Sequence, residues 1–230
     1  MKRFLLTLIP MTLAGALNAS PIVVTSPVDH LFVPKGFDNN DNVELMVLGK
    51  FPNTCFSRNK VDVKVNEDKI NIKITALMSN QESNCEILDV SYLENVTVGN
   101  LQAGQYQILV NDTLKEELTV SESSSGSVDD HMYAMVHHVD LGFTGGLAGS
   151  VRLVGTRPNC IGLDHVEIIS NDKDTFSILP IMKKVANDCT REKVYFDYPV
   201  RFNPRAVQNK NILLFVRTMD GKSVSALIER

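Results

Sequence analysis

Asp38, Asn40, Asn42 and Glu44 stand at alternate positions in the run Asp38-Asn39-Asn40-Asp41-Asn42-Val43-Glu44. Alternate oxygens can converge on one hard cation, and calcium loops are spaced in this way. The run lacks the glycine at its sixth position and the acid at its twelfth that an EF-hand requires. Asx-rich loops are also ordinary turn chemistry. Calcium is thus the one cofactor left open, with a plain turn as the alternative. A second segment, His131-Met132-Tyr133-Ala134-Met135-Val136-His137-His138-Val139-Asp140, offers histidine and methionine, which suit copper in an oxidising compartment. On a regular strand His137 and His138 would point to opposite faces, so the competing reading is a first strand with a half-buried apolar face. Arg191, Lys193, Arg201 and Arg205 make the second half locally basic. They are candidates for binding an anionic surface or an acidic partner, and without interleaved aromatics they match no nucleic-acid motif.

Catalytic sets are missing from the sequence. There is no G-x-S-x-G elbow, and the serine run Ser123-Ser124-Ser125 lies in a linker that could not hold a nucleophile rigidly. Gly142-Phe143-Thr144-Gly145-Gly146 lacks the lysine and the following helix of a phosphate loop. Glu116-Glu117 carries no glycosidase signature. The expectation is a protein that is not an enzyme.

The four cysteines are Cys55, Cys85, Cys160 and Cys189. An even number in an exported chain argues for disulfides, and four allow three pairings. No C-x-x-C pair exists to seed a zinc site. The choice among pairings comes from a repeat. Gly49-Lys50-Phe51-Pro52-Asn53-Thr54-Cys55 matches Gly155-Thr156-Arg157-Pro158-Asn159-Cys160, and Gly36-Phe37 upstream matches Gly142-Phe143. Val61 and Val166 each follow the first cysteine by six residues, and Tyr92 and Phe196 follow the second at matching distances. The period is about 104 residues, a domain-sized unit. This register favours Cys55–Cys85 and Cys160–Cys189, one bridge in each unit.

The elements that must position these residues read as strands. Val43, Leu45 and Val47 alternate with other residues, as do Val61, Val63 and Val65, and Ile70, Ile72 and Ile74. A period of two places one face in a core and the other toward water. Asn66-Glu67-Asp68-Lys69 reads as a four-residue hairpin loop. Further short strands are expected at Leu88-Val90-Tyr92, Val96-Val98, Tyr106-Ile108-Val110 and Leu118-Val120. The second unit is less regular, with strands expected over 151–154, 165–169, 193–202, 211–217 and 223–229, and at most one or two helical turns over 181–187. The expected organisation is a signal peptide over 1–19, a β-sandwich module over 20–120, a flexible Ser-rich linker over 121–130 and a second module over 131–230. The leader has Met1-Lys2-Arg3, an apolar stretch from Phe4 to about Leu17 and small residues at Asn18-Ala19-Ser20. That stretch is too short to span a bilayer, which needs about 20 apolar residues.

Charge divides unevenly between the modules. Residues 20–130 hold 8 Lys and Arg against 17 Asp and Glu, whereas residues 131–230 hold 13 against 10. Opposite balances let the modules attract each other, or let the second meet an anionic surface.

Leu101-Gln102-Ala103-Gly104-Gln105-Tyr106-Gln107-Ile108 resembles the L-x-A-G-x-Y-x-I segment that leads into a late strand of bacterial immunoglobulin-like and fibronectin-like modules. The resemblance implies an all-β chain of two tandem immunoglobulin-like sandwiches, with Tyr106 at the tyrosine corner. The second module has Gln208-Asn209-Lys210-Asn211-Ile212 there and no tyrosine. The functional expectation is an exported interaction or structural protein of the periplasm, cell surface or medium. Its partner would be another protein or a cell-surface component, with no nucleic acid and no membrane span. The alternatives weighed were a periplasmic pilus-type chaperone and a calcium- or metal-dependent binding protein.

Overall fold

The alternation in the first half puts Ile70, Ile72, Ile74 and Ala76 inside, with Lys69, Asn71 and Lys73 on the outer face of the same strand. The computed structural model describes residues 20–79, 85–126, 129, 131–142, 145–190 and 192–230. The expected leader lies outside them. The chain is all-β. The first half holds β1 (Ile22–Thr25), β2 (His30–Phe32), β3 (Phe37–Asp38), β4 (Val43–Phe51), β5 (Phe56–Asn66), β6 (Lys69–Met78), β7 (Val90–Gly99), β8 (Gly104–Val110) and β9 (Leu114–Ser121). The second holds β10 (Met135–Asp140), β11 (Ser150–Pro158), β12 (Ile161–Ser170), β13 (Thr175–Lys184), β14 (Lys193–Arg201), β15 (Asn211–Thr218) and β16 (Lys222–Glu229). No helix among the described residues is long and apolar enough to cross a membrane.

Each half packs a larger sheet on a three-stranded one. In the first, β2-β4-β7 faces a sheet in which β6 pairs with β5 along one edge and with β8 and β1 along the other, with β9 and β3 beyond β8. In the second, β10-β11-β14 faces β12-β13-β15-β16. Both larger sheets are mixed: β6 with β8 and β3 with β9 pair parallel in the first, and β13 with β15 in the second, among antiparallel neighbours. Strand periodicity carries no information about direction, so this mixing is invisible in the sequence.

The repeated glycine and aromatic positions have a shared physical cause. Gly49 pairs with Tyr92 across β4 and β7, and Gly155 pairs with Phe196 across β11 and β14. A Cβ on Gly49 would stand 2.3 Å from the Pro27 carbonyl and 2.5 Å from the Tyr92 ring. On Gly155 it would stand 2.1 Å from the Met135 carbonyl and 2.5 Å from the Phe196 ring. In both halves a ring lies flat over a strand that only glycine permits.

Several boundaries differ from expectation. The β5–β6 hairpin turns on two residues, Glu67 and Asp68, because Glu67 adopts φ 52° and Asn66 pairs directly with Lys69. The two short strands expected near 88–98 form the single β7. The expected helical turns over 181–187 give way to the end of β13, whose earlier residues show no strand signal because they never alternate. From Thr175 to Met182 every residue is buried. The cause lies in β15. Ile212, Leu214 and Val216 enter the second core, whereas Leu213 and Phe215 enter the first. The larger sheet of the second half is covered on both faces, and strands so placed read as continuous apolar runs.

The Ser-rich segment, expected to be flexible, is held at its start. Ser121 ends β9 opposite Asp38. The Ser123 amide donates to Asn39 Oδ1 at 3.0 Å, and Asn39 Nδ2 donates to Glu122 Oε2 at 3.0 Å.

Candidate functional site

The seam between the halves concentrates the buried charge. Arg217 stands near the end of β15, in an otherwise apolar strand that delivers its guanidinium to the first half. Its Nη2 lies 2.8 Å from Asp41 Oδ2, with the two side chains only 8% and 5% exposed. The same nitrogen donates to the Gly36 carbonyl, and Nη1 donates to the Tyr133 hydroxyl at 3.3 Å. The guanidinium also lies over the Phe37 ring, 4.7 Å from its centroid. Burial pushes the Tyr133 phenol up to about 12 despite the neighbouring Arg217. A void of about 10 Å³ beside this group is bordered by Glu44, Asp129 and Lys222, room for about one water. Burial raises the Asp129 carboxyl above the usual range.

A second polar contact closes the other end of the seam. His30 Nε2 donates to Asp174 Oδ2 at 2.8 Å, and Asp174 itself is fully buried. Asp174 Oδ1 accepts from Asn171 Nδ2 at 2.9 Å and from Thr175 Oγ1 at 2.7 Å. Burial alone would raise this carboxyl, but the three donors outweigh it and hold it below the usual value. Between the two polar ends, Leu213 and Phe215 pack with Leu31, Phe37, Met46 and Leu48. Sequence reasoning missed Arg217, Asp41, His30 and Asp174. The available signal was an arginine inside the apolar run Asn211–Thr218, since a charge in a strand buried on both faces needs a partner.

The side chains of the proposed calcium set each make other contacts. Asp38 Oδ1 accepts from the Asn40 amide at 3.2 Å, an Asx turn. Asn42 Nδ2 donates to the Gly221 carbonyl at 2.8 Å, across the seam. Glu44 is buried, and it accepts from Thr97 Oγ1 at 3.4 Å and from Ser223 Oγ. Asn40 Nδ2 reaches the Ser125 carbonyl at 3.5 Å. Among the described residues no three His, Cys, Asp or Glu side chains gather into a metal-binding group.

His137 and His138 do not divide between the faces as a regular strand would require. A bulge lies between Val136 and His138, and both histidines are exposed. His137 Nε2 lies 3.0 Å from Thr156 Oγ1. Of the basic set, Arg191 lies outside the described residues. Lys193 begins β14 and Arg201 ends it, which at strand rise separates them by about 26 Å. Arg205 follows in the short 3-10 turn Pro204–Ala206, so Arg201 and Arg205 lie toward one end of β14 and Lys193 at the other.

Cys55 is bonded to Cys85 and Cys160 to Cys189, with Cα separations of 5.3 and 4.9 Å. The Tyr106 hydroxyl donates to the Gln102 carbonyl at 2.9 Å, the local geometry of a tyrosine corner. A family model described as the ORF11 beta-sandwich domain matches residues 45–120. That span runs from β4 to β9, within the first half. No curated protein and no solved structure matches the chain. A β-sandwich is therefore the description on which topology and comparison agree.

Proposed function

We propose that this chain is an exported interaction protein of the periplasm, cell surface or medium, without chemistry of its own. In this reading it consists of two immunoglobulin-like modules that arose by duplication and act as one rigid body. The observation that carries it is the seam. Leu213 and Phe215 of the second module belong to the first module's core, and polar contacts at both ends fix the angle between the modules. Such a body holds two separate surfaces at a constant distance, which suits docking. The shifted groups at the seam are accounted for by structural partners or by burial.

Duplication is supported by corresponding strand pairings in the two halves, by one bridge in each and by the glycine beneath an aromatic ring. The immunoglobulin likeness rests on the two-sheet layout and the Tyr106 corner, and the parallel pairs depart from that fold's antiparallel sheets. Export is supported by the leader pattern and by the two disulfides. The test is to express the full chain in a bacterium, fractionate the cells, and measure intact mass with and without reductant and alkylation. Loss of residues 1–19 with no free thiol, followed by capture of a specific neighbour by crosslinking on intact cells, is the expected result. Cytoplasmic retention with free thiols would overturn export, and a crosslinked fraction containing no specific neighbour would overturn the interaction role.

A further inference from the structure

Residues an odd number of positions apart on a regular strand point to opposite faces, so a strand that buries Val136 should expose Val139. In β10 Val136 belongs to the second core and Val139 packs against that same core. The bulge reconciles the two. Val136 pairs with Gly155 and His138 with Val154, so His137 is the additional residue, without a partner of its own on β11. His137 and His138, the residues between the two valines, are therefore both turned to the outer face of the sheet, and both are exposed. Met135 precedes Val136, pairs with Thr156, and shares that outer face. The bulge thus brings a thioether and two imidazoles to one side of a strand that, if regular, would have divided them.

One hydroxyl ties two of these donors together. Thr156 Oγ1 donates to Met135 Sδ at 3.7 Å and lies 3.0 Å from His137 Nε2. With its hydrogen directed at the sulfur, the hydroxyl oxygen accepts from His137 Nε2–H. That arrangement sets the tautomer and leaves the lone pair on His137 Nδ1, which is how a ligating imidazole is held by a partner on its other nitrogen. Thr156 is only 6% exposed, so the anchor is built into the sheet. Two charged neighbours share the face by register, and each is already engaged. Arg152 is neutralised by Asp197 at 2.6 Å, and Asp140 Oδ1 accepts from the Gly142 amide at 2.9 Å.

We propose that Met135, His137 and His138 form a binding site for monovalent copper. Thioether sulfur selects Cu(I), and imidazole is a good copper ligand. Calcium would need six to eight oxygens, and zinc a closed set of four donors. This face offers two nitrogens and one sulfur, a low-coordinate set that a soft monovalent ion accepts. No three His, Cys, Asp or Glu side chains gather among the described residues, so a metal site here has to draw on the sulfur. Both disulfides are closed, and no cysteine thiolate competes for the ion. The site goes beyond the reading of the chain as an interaction protein and does not depend on it.

The test is titration of the purified chain, its disulfides shown to be closed by intact mass, with Cu(I) kept reduced by ascorbate under nitrogen. Nuclear magnetic resonance of the wild type should show the Met135 methyl and the His137 and His138 rings shifting together and saturating at a single copper per chain. Affinity is read by competition with a chromophoric Cu(I) chelator. Met135→Leu, His137→Ala and His138→Ala should each weaken binding at least about tenfold, the least that loss of even an outer-shell partner costs, with circular dichroism unchanged. His131→Ala and His165→Ala, at exposed positions elsewhere, should bind as the wild type does. Three results would overturn the proposal. They are a wild type whose Met135 and histidine signals stay in place when copper is added, a loss of binding in His131→Ala instead of the three ligand variants, and the same shifts with Zn(II) at the same concentration.

Discussion

Replacing Arg217 by alanine removes the one cation that the first half's loop is built around. Asp41 would keep its buried carboxylate, 5% exposed, with its 2.8 Å partner gone. Breaking a buried ion pair from one side costs about 3–5 kcal/mol, because the remaining charge is left uncompensated. The Gly36 carbonyl loses a donor and Phe37 loses the cation over its ring, so the upper part of that range applies. For a chain of this size each kcal/mol moves Tm by roughly 2–4 °C, which places Arg217→Ala at roughly 10 °C or more below the wild type. The assay is thermal and urea unfolding followed by two probes. The Tyr133 environment reports the seam, and far-ultraviolet circular dichroism reports the sheets. The wild type should unfold in one transition with coincident probes, because Leu213 and Phe215 tie the two cores together. A double change, Asp41→Leu with Arg217→Met, removes both charges and should cost far less than either single loss. If Arg217→Ala lowers stability by under about 1 kcal/mol, or if the losses at the two positions simply add, the seam is not organised by this pair and the reasoning fails.

Other positions give sharper signs. Gly155→Ala sets a methyl 2.1 Å from the Met135 carbonyl, a backbone atom that cannot rotate away, and should cost at least about 1–3 kcal/mol. Gly126→Ala, with nothing within 4 Å, is the neutral control, and equal stability of the two variants in urea would contradict the packing account. Ser177→Ala should raise stability by about 1 kcal/mol, because the Ser177 hydroxyl is buried without a hydrogen-bond partner among the described residues. A loss on chemical denaturation would show that the hydroxyl is satisfied. Acid should weaken the seam through Asp174. Its carboxyl is held below its unfolded value, so its contribution is complete above the ordinary carboxylate pKa of about 3.9 and disappears as pH falls through the folded value. Asp174→Asn should flatten that part of the stability profile between pH 5 and 2, and superimposable acid limbs would refute the assignment.

How much of this was legible in the sequence depends on how many faces each strand buries. β6 keeps one face in water, so Ile70, Ile72 and Ile74 alternate with Asn71 and Lys73 and declare the strand. β13 keeps neither, so Thr175 to Met182 shows no period and reads as nothing in particular. The disulfide pairing was legible because the repeat fixed it. Its glycine and aromatic were legible as a pattern but not as a cause, since only the cross-strand register places Gly155 under Phe196. The Asp38 loop carries contacts that its spacing does not announce. Asn42 and Glu44 meet Gly221 and Ser223, partners about 180 positions away that no local pattern can reveal.

That long-range use of a local motif bears on how the two halves fit together. Leu213 and Phe215 make the outward side of β15 apolar, and both belong to the core of the first half. An outward strand that gains apolar residues becomes an aggregation hazard unless something covers it. Covering it with the neighbouring module removes the hazard and fixes the angle between the two. The polar contacts at Arg217 and His30 then set register, since a buried pair contributes geometry more dependably than net stability. The charge difference between the halves is little changed at the seam, where Arg217 and Lys173 of the second half meet Asp41 and Glu116 of the first, and Lys35 of the first meets Asp172 of the second. It remains on the outer surfaces, and any account of partners has to begin with those surfaces.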